Sequence, residues 1–469
     1  MSCKVLTDNL KGKRCAILGL GVSNTPLARL LIYADNKISV TVYDKKSPEE
    51  LGEDALALRT AGVRFISGSD CFDNIEGDVI FRSPGIRPDL KGIRDAISRG
   101  AVLTSEMEYF LSLTPARTFG ITGSDGKTTT TTLCGKFLES TSRVFVGGNI
   151  GTPLLDKVEE MTHSDSAVLE LSSFQLMTIS HAPSCSAITN ISPNHMDWHT
   201  TEEEYAEAKY NIVGKNTHRV VLNADSKGTF KFGKKLLSHG GREIIFFSSC
   251  ASPRDIPEGA KLMYISEGII YFYNGKENLP LLDTSRIILP GRHNIENYMT
   301  AMALTYGYVD PAVYTEVAES FGGVEHRLEL VRTVGGVSYY NSSIDSSPTR
   351  TAAALSALSG RDIVVICGGY DKNLSYTPLA KCLCASARAV VLTGATAPKI
   401  KKALLECKSY APQRLTLVES DSFEDAVSKA SSLSREGGCV LLSPASASFD
   451  RFKNFAERGR YFKELVSKL

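Results

Sequence analysis

The densest concentration of chemistry in the chain is Gly120-Ile-Thr-Gly123-Ser-Asp-Gly126-Lys127-Thr128-Thr129. Glycines at 120, 123 and 126 let the backbone curl until several N–H groups face one anion, and a helix starting just beyond adds the positive end of its dipole. Lys127 can neutralise the β- and γ-phosphates of a nucleotide, and the Thr128 hydroxyl can sit on Mg2+. Gly123, Ser124, Gly126, Lys127, Thr128 and Thr129 are therefore candidate ATP contacts. The spacing departs from the general phosphate-loop pattern, because Ile121 stands where its first glycine belongs. A glycine turn that merely caps a helix is the alternative. The apolar run Arg117–Ile121 before the loop and the helical stretch after it favour the nucleotide.

Three further residues suit a phosphoryl-transfer site. Glu170 ends the apolar run Ala167–Leu171, where a carboxylate can either hold Mg2+ or sit as an edge charge. His195 follows the run Ser186–Asn190, in Asn194-His-Met-Asp-Trp198. The spaced trio His195, Asp197 and His199 raises zinc, but it lacks a fourth ligand and a cysteine partner. Lys209 lies in the helical, charge-rich stretch Glu202–Tyr210, where the plain reading is a solvated lysine. Nearer the start, Gly19-Leu-Gly21-Val-Ser-Asn24 follows a strand and Asp44 ends the next one, as in a dinucleotide fingerprint. That pattern predicts NAD and a dehydrogenase, yet its third glycine is Asn24, and alone it is weak evidence.

The elements that must position these residues are short apolar strands alternating with helices, which predicts an α/β chain with largely parallel sheets. Three blocks emerge, 1–105, 106–323 and 324–469. The first opens on the strand Arg14–Leu18, then a glycine turn, a helix and the strand Ser39–Tyr43; another strand near Asp78–Phe81 runs into Ser83-Pro-Gly85. The second carries the phosphate loop and strands at Ala167–Leu171, Ser186–Asn190 and Arg219–Asn223. It also holds a hairpin turning at Asn274-Gly275 and a helix beginning near Glu296. The third has strands at Val337–Tyr340, Asp362–Cys367, Ala389–Thr393 and Cys439–Ser443. Expected architectures are a Rossmann-like first domain, a P-loop-type ATPase centre with a mostly parallel sheet, and a Rossmann-like third domain.

Bulk properties narrow the class. At 469 residues the chain exceeds one compact core. Lys plus Arg (53) nearly cancel Asp plus Glu (52), which argues against binding nucleic acid through a basic stripe. No apolar run is long enough to span a bilayer, and Met1–Leu10 shows no charged-then-apolar leader. The eleven cysteines have no metal-site or disulfide spacing, since Cys382-Leu-Cys384 lacks a second pair. Reduced thiols in a cytoplasmic protein are expected.

Taken together these segments resemble the Mur ligase family, across essentially the whole chain. The resemblance rests on Gly123-Ser-Asp-Gly-Lys-Thr-Thr129, Gly147-Gly-Asn-Ile-Gly151, Leu169-Glu-Leu-Ser-Ser-Phe-Gln-Leu176 and Asn194-His-Met-Asp197. It continues through Gly291-Arg-His-Asn294, Glu325-His-Arg327 and the stretch from Ser443 to Phe455. That last stretch and the amino-terminal block resemble the D-glutamate-adding branch.

The resemblance implies an ATP- and Mg2+-dependent ligase that joins D-glutamate to UDP-N-acetylmuramoyl-L-alanine through an acyl phosphate, in peptidoglycan precursor synthesis. A monomer is expected. It implies roles too. Lys127, His195 and Lys209 match catalytic positions. Thr128, Glu170, His195 and Lys209 match the surroundings of two Mg2+ ions, with Lys209 carbamylated. Asn294 and Arg327 match nucleotide contacts. Gly21, Val22, Ser23, Asp44, Ser83 and Asn149 match positions lining the UDP-substrate, which places uridine diphosphate where the fingerprint predicts NAD. Lys372, Ser448 and Phe455 match the surroundings of D-glutamate. Two departures stand out. The family's phosphate loop usually has Thr-Asn where this chain has Ser124-Asp125. Its third domain typically reads Asn-Asp-Ser, whereas Asn341-Ser-Ser-Ile-Asp345 puts Ser342 at the nucleotide-facing aspartate and an aspartate three residues later.

Overall fold

The computed structural model describes residues 8–33, 38–193, 195–196, 198–372 and 374–469, so Asn194 and Asp197 lie outside the described residues. Its strands form three sheets. The first holds β1 (Arg14–Leu18), β2 (Ser39–Asp44), β3 (Arg64–Ser67), β4 (Val79–Arg82) and β5 (Val102–Thr104), in the order β3-β2-β1-β4-β5. All its pairings are parallel. Strand order reverses at β1, which has β2 on one side and β4 on the other. Such a switch opens a crevice beyond the carboxyl ends of the strands.

The second sheet runs β14-β13-β12-β11-β10-β9-β6-β8-β7. Its strands are β6 (Arg117–Thr122), β7 (Val144–Gly148), β8 (Ser166–Glu170), β9 (Cys185–Ile188), β10 (Arg219–Asn223), β11 (Glu243–Ser248), β12 (Lys261–Ser266), β13 (Ile269–Tyr273) and β14 (Asn278–Asp283). Every residue of β8, β9 and β10 is buried, the near-continuous apolar pattern of a parallel strand covered on both faces. Only the β12-β13-β14 edge is antiparallel. The expected hairpin at Asn274-Gly275 joins β13 to β14, with Gly275 at φ +101°. A second tight turn, Glu267-Gly268, joins β12 to β13; both residues have positive φ, and no asparagine marks it in the sequence. Here too the order reverses, at β6, between β9 and β8. The phosphate loop leaves the sheet at that strand.

The described chain forms two compact units, one reaching Arg286 and including Ile295–Val317, the other made of Ile287–Asn294 and Ala318–Leu469. The first unit contains both of these sheets, so block 1–105 shares it with most of block 106–323, whose residues 287–294 and 318–323 fall in the second unit. The reason lies in one continuous apolar cluster. Ile17, Val42 and Phe81 of the first sheet and Leu169, Val220 and Leu222 of the second belong to it, together with Met107, Phe110, Leu154, Leu155 and Val158. Ser105 caps the helix Glu106–Leu113 through the Glu108 N–H, which sets Met107 and Phe110 into that core.

The second unit holds the third sheet: β15 (Glu329–Val334), β16 (Val337–Asn341), β17 (Ile363–Cys367), β18 (Ala387–Leu392), β19 (Thr416–Glu419) and β20 (Cys439–Leu442), ordered β15-β16-β20-β17-β18-β19. It is parallel except for the β15–β16 edge. One apolar cluster covers each face, built around Val365 and Leu441 on one side and Ile366 and Leu442 on the other.

Candidate active site

β6 delivers the chain to Gly123, and the helix Lys127–Leu138 takes it away. The two glycines between are demanded by space as well as by backbone angle. A Cβ at Gly123, with φ +152°, would lie 1.8 Å from Thr189 Oγ1, and one at Gly126, with φ +77°, would lie 2.3 Å from Asn297 Oδ1. The loop is fastened to the segment after β9. Asp125 N–H donates to Asn190 Oδ1 at 2.9 Å, and Thr189 Oγ1 donates to the Asp125 carbonyl at 2.6 Å. Ser124 Oγ donates to the Ser192 carbonyl at 2.9 Å and lies 2.9 Å from the Tyr205 hydroxyl. The departure Ser124-Asp125 is thereby accommodated: the serine bonds inward, while the Asp125 side chain is exposed. Lys127 Nζ donates to the Gly123 and Ser124 carbonyls at 3.0 and 2.9 Å, holding its ammonium at the loop. Thr128 is buried and Thr129 half-buried in the first turn of the helix.

Lys209 is not a solvated lysine. It is 2% exposed, donates to the Gly123 carbonyl at 2.8 Å and stands 4.5 Å above the Tyr205 ring. Burial, and then the neighbouring Lys127, lower its pKa to about 7, against the pull of Asp125 and Glu170. Glu170 ends β8 and is buried. Its Oε1 accepts from Asn149 Nδ2 at 2.8 Å, whereas Oε2 is buried with no hydrogen-bond partner among the described residues. A buried carboxylate oxygen without a donor suits a cation, and Mg2+ takes one or two carboxylates and completes its shell with water and phosphate oxygens. The Glu170 carboxylate therefore fits a hard cation such as Mg2+. Asn149 also donates its backbone N–H to the Glu170 carbonyl at 2.7 Å, so it sits beside this carboxylate.

His195 is exposed, with φ +56°, and its ring lies 5.1 Å from that of Phe174. His199 points elsewhere. It is buried, 2.9 Å from Ser173 Oγ through Nε2 and 3.5 Å from Glu204 through Nδ1, and it stacks on Phe174 at 5.5 Å. Burial lowers its pKa below the usual imidazole range. His199 thus braces the segment, and with Asp197 outside the described residues the zinc trio has no geometric support.

In the first sheet, Leu20 N–H donates to Asp44 Oδ2 at 2.8 Å, and Ser83 N–H donates to the Leu18 carbonyl at 2.9 Å. These bonds tie the carboxyl ends of β1, β2 and β4 together, so Asp44 and Ser83 stand at the end of β1 where the strand order reverses. Val22 is 81% exposed. The missing third glycine has a physical substitute: the buried Asn24 amide donates to the Gly19 carbonyl at 2.9 Å and to the Leu18 carbonyl at 3.3 Å, pinning the turn by its side chain.

The second unit gathers its own polar centre. Asn341 Nδ2 reaches His326 Nδ1, Glu329 Oε2 and the Gly459 carbonyl at 3.0, 3.1 and 3.3 Å. Ser342 Oγ accepts from Leu328 N–H at 3.1 Å. Asp345 is 6% exposed and accepts from Ser443 Oγ at 2.8 Å; burial pushes its carboxyl above the usual range. Arg350 and Arg327 act on it in the opposite direction. Asn294, also in this unit, donates through Nδ2 to the Pro290 carbonyl at 2.7 Å. Lys372 is exposed, Phe455 is 40% exposed, and Ser448 is buried, its carbonyl accepting from Arg451 and Phe452.

Several supporting residues escape sequence reading. Asn190, Tyr205 and Asn297 hold the phosphate loop, and buried Arg458 donates to Ser343, Ser446 and Ala447 at 2.9–3.1 Å. Nothing in their local spacing marks them, since their partners stand up to 167 residues away.

A glycine-rich loop at one sheet's switch point, a second switch point in the first sheet, and a third α/β sheet define a class. The Mur ligase middle domain matches residues 121–305, and the Mur ligase glutamate ligase domain matches residues 326–446. The chain belongs to the Mur ligase family and is an ATP-dependent ligase. Among its relatives, the UDP-N-acetylmuramoylalanine–D-glutamate ligase of Ruminiclostridium cellulolyticum is 44% identical, covering 98% of each chain. That of Acetivibrio thermocellus is 41% identical over 98% of this chain and 97% of the relative. Solved structures share the fold. UDP-N-acetylmuramoyl-L-alanyl-D-glutamate–2,6-diaminopimelate ligase superposes with a TM-score of 0.56 at 16% identity, covering 92% of this chain and 93% of that one. MurF ligase from Thermotoga maritima in complex with ADP gives 0.54 at 16% identity over the full length of both.

Proposed function

We infer that this chain adds D-glutamate to UDP-N-acetylmuramoyl-L-alanine, converting ATP to ADP and phosphate. The observation that carries this is identity of 44% over nearly the full length with a ligase named for that reaction. The phosphate loop and the switch-point crevice of the first sheet supply sites for the two nucleotides. A carboxylate oxygen of the alanyl end attacks the γ-phosphorus and ADP departs. The D-glutamate amine then attacks the acyl carbon, loses a proton and expels phosphate. Lys127 lowers the repulsion between the two anions that meet in the first step.

Thr128, Glu170, His195 and a carbamylated Lys209 are proposed to hold Mg2+, which when bound would neutralise phosphate charge. A lysine poised near neutrality suits carbamylation, because only the uncharged amine adds carbon dioxide. Asn294 and Arg327 are proposed nucleotide contacts; Lys372, Ser448 and Phe455 surround the amino acid. Gly21, Val22, Ser23, Asp44, Ser83 and Asn149 are proposed to line the UDP-substrate, Asn149 also steadying Glu170. The reading places the enzyme in the cytoplasm as a monomer; among the described residues no helix is long and apolar enough to cross a membrane.

Phosphate release from ATP and UDP-N-acetylmuramoyl-L-alanine should require D-glutamate and fail with L-glutamate, with diamino acids and with no amino acid. Release with a different acceptor would keep the chemistry and move the substrate. The Ser342 and Asp345 departure has its own expected outcome. Ser342→Asp places a second carboxylate beside a buried one, and like charges there disfavour each other. The KM for ATP should shift about tenfold. An unchanged KM and turnover would remove both residues from the nucleotide's surroundings.

A further inference from the structure

The loop after β4 and the segment after β9 are joined in the first unit by a contact that no role assigned above uses. Arg87 donates through Nη2 to Glu204 Oε1 at 2.8 Å and through Nη1 to the Trp198 carbonyl at 2.7 Å and Glu204 Oε2 at 3.3 Å. Its guanidinium also lies 5.0 Å from the centroid of the Trp198 ring, and the Trp198 indole N–H donates to the Gly85 carbonyl at 3.1 Å. Glu204 Oε2 accepts from Thr200 N–H at 2.7 Å and stands 3.5 Å from His199. A second arginine works the same seam. Buried Arg82 donates to the Ser83, Pro84 and Ile86 carbonyls on its own loop and to the Phe174 carbonyl at 2.8 Å; the Phe174 ring packs on His195, Trp198 and His199.

We propose that Arg87 is a positioning residue: through Glu204 and Trp198 it clasps the loop carrying Ser83 to the segment carrying His195 and to the helix carrying Lys209. Glu204 sits in the first turn of the helix Glu202–Tyr210, and Lys209 in its last. A rigid helix nine residues long transmits a displacement at one end to the other. The arginine fork suits the task because a planar guanidinium can hold a carboxylate with two N–H groups while its face meets an indole. Both charges are 22% exposed, so the pair is shielded enough to direct geometry. UDP-substrate settling against the Ser83 loop thereby also sets the spacing of the residues proposed for Mg2+. The inference rests on the function proposed above.

Trp198 is the chain's single tryptophan, so its emission reads the clasp without any turnover. Emission should respond to UDP-N-acetylmuramoyl-L-alanine in the unaltered chain. In Arg87→Ala it should shift to the red, and that response should disappear. In the turnover assay Arg87→Ala should lower kcat and raise both the KM for UDP-substrate and the Mg2+ concentration for half-activation, each about tenfold, with the KM for ATP within about twofold. Arg87→Lys should recover part of the loss, and Arg87→Ala with Glu204→Gln should be no worse than Arg87→Ala alone. An Arg87→Ala chain whose Trp198 still responds to UDP-substrate, or whose Mg2+ requirement is unchanged, would overturn the clasp, as would additive losses in the double variant. If Arg87→Ala does not fold, Arg87→Lys and Glu204→Gln carry the same comparisons. Absence of turnover in the unaltered chain would instead remove the function on which the clasp rests, while the emission arm would still decide the coupling itself.

Discussion

Lys209→Met is expected to lose turnover by on the order of 10²–10³-fold while the folded chain becomes more stable. The two effects have one cause. The ammonium is nearly completely buried, with one carbonyl acceptor at 2.8 Å, an aromatic face and a second cation nearby. Removing a cation from water without a paired anion is costly, and methionine fills a similar volume without that cost. The pH dependence follows from the sign of the shift. With a folded pKa of about 7 against 10.5 in a free lysine, the unfolded chain holds more protons between those values. The unaltered chain should therefore gain stability as pH rises through that window, and the variant should lack this slope. Thermal unfolding at several pH values, beside turnover, checks both halves. A variant that turns over normally would leave Lys209 a structural residue.

Glu170→Gln is expected to lower turnover by a comparable 10²–10³-fold with an unfolding midpoint equal to or above that of the unaltered chain. Glutamine keeps an oxygen for Asn149 at the position of Oε1 and replaces the unpartnered Oε2 by a neutral amide. It thus removes a buried anionic oxygen that has no hydrogen-bond partner among the described residues and that a divalent cation needs. Equal or greater stability with lost activity is the mark of a group held at an energetic cost for function. A large fall in the midpoint would mean instead that Glu170 chiefly supports the β8 terminus.

What was legible in the sequence divides along a physical line. The phosphate loop, the first strand-turn-helix and the parallel α/β class rest on short-range signals: glycine spacing, apolar runs and the turn residues between them. Strand positions agree with those expectations to within two residues at β4, β8 and β9. The ends drift because a strand's last pair depends on its neighbour in the sheet, as when the expected Ser186–Asn190 becomes Cys185–Ile188. Short edge strands such as β3 and β19 carry too few apolar residues to announce themselves. The support of the candidate site was not legible at all. Asn297 accepts from Thr130, in the helix that follows the loop, across 167 residues, and Arg87 reaches Glu204 across 117. Lys209 shows the limit most clearly. Its helix is acidic in its first turn and reads as solvated, and only the packing of Tyr205 and Gly123 around Nζ makes it a buried amine.

The proposed reaction stands or falls on an amide formed through an acyl phosphate on UDP-N-acetylmuramoyl-L-alanine. The most direct test labels both oxygens of its terminal carboxylate with oxygen-18 and supplies ATP, Mg2+ and D-glutamate. One labelled oxygen should leave in inorganic phosphate and one should stay in the new amide carbonyl, in step with the ADP formed. Unlabelled phosphate released at the same rate would mean that water, not the carboxylate, attacks ATP, and would contradict the claim.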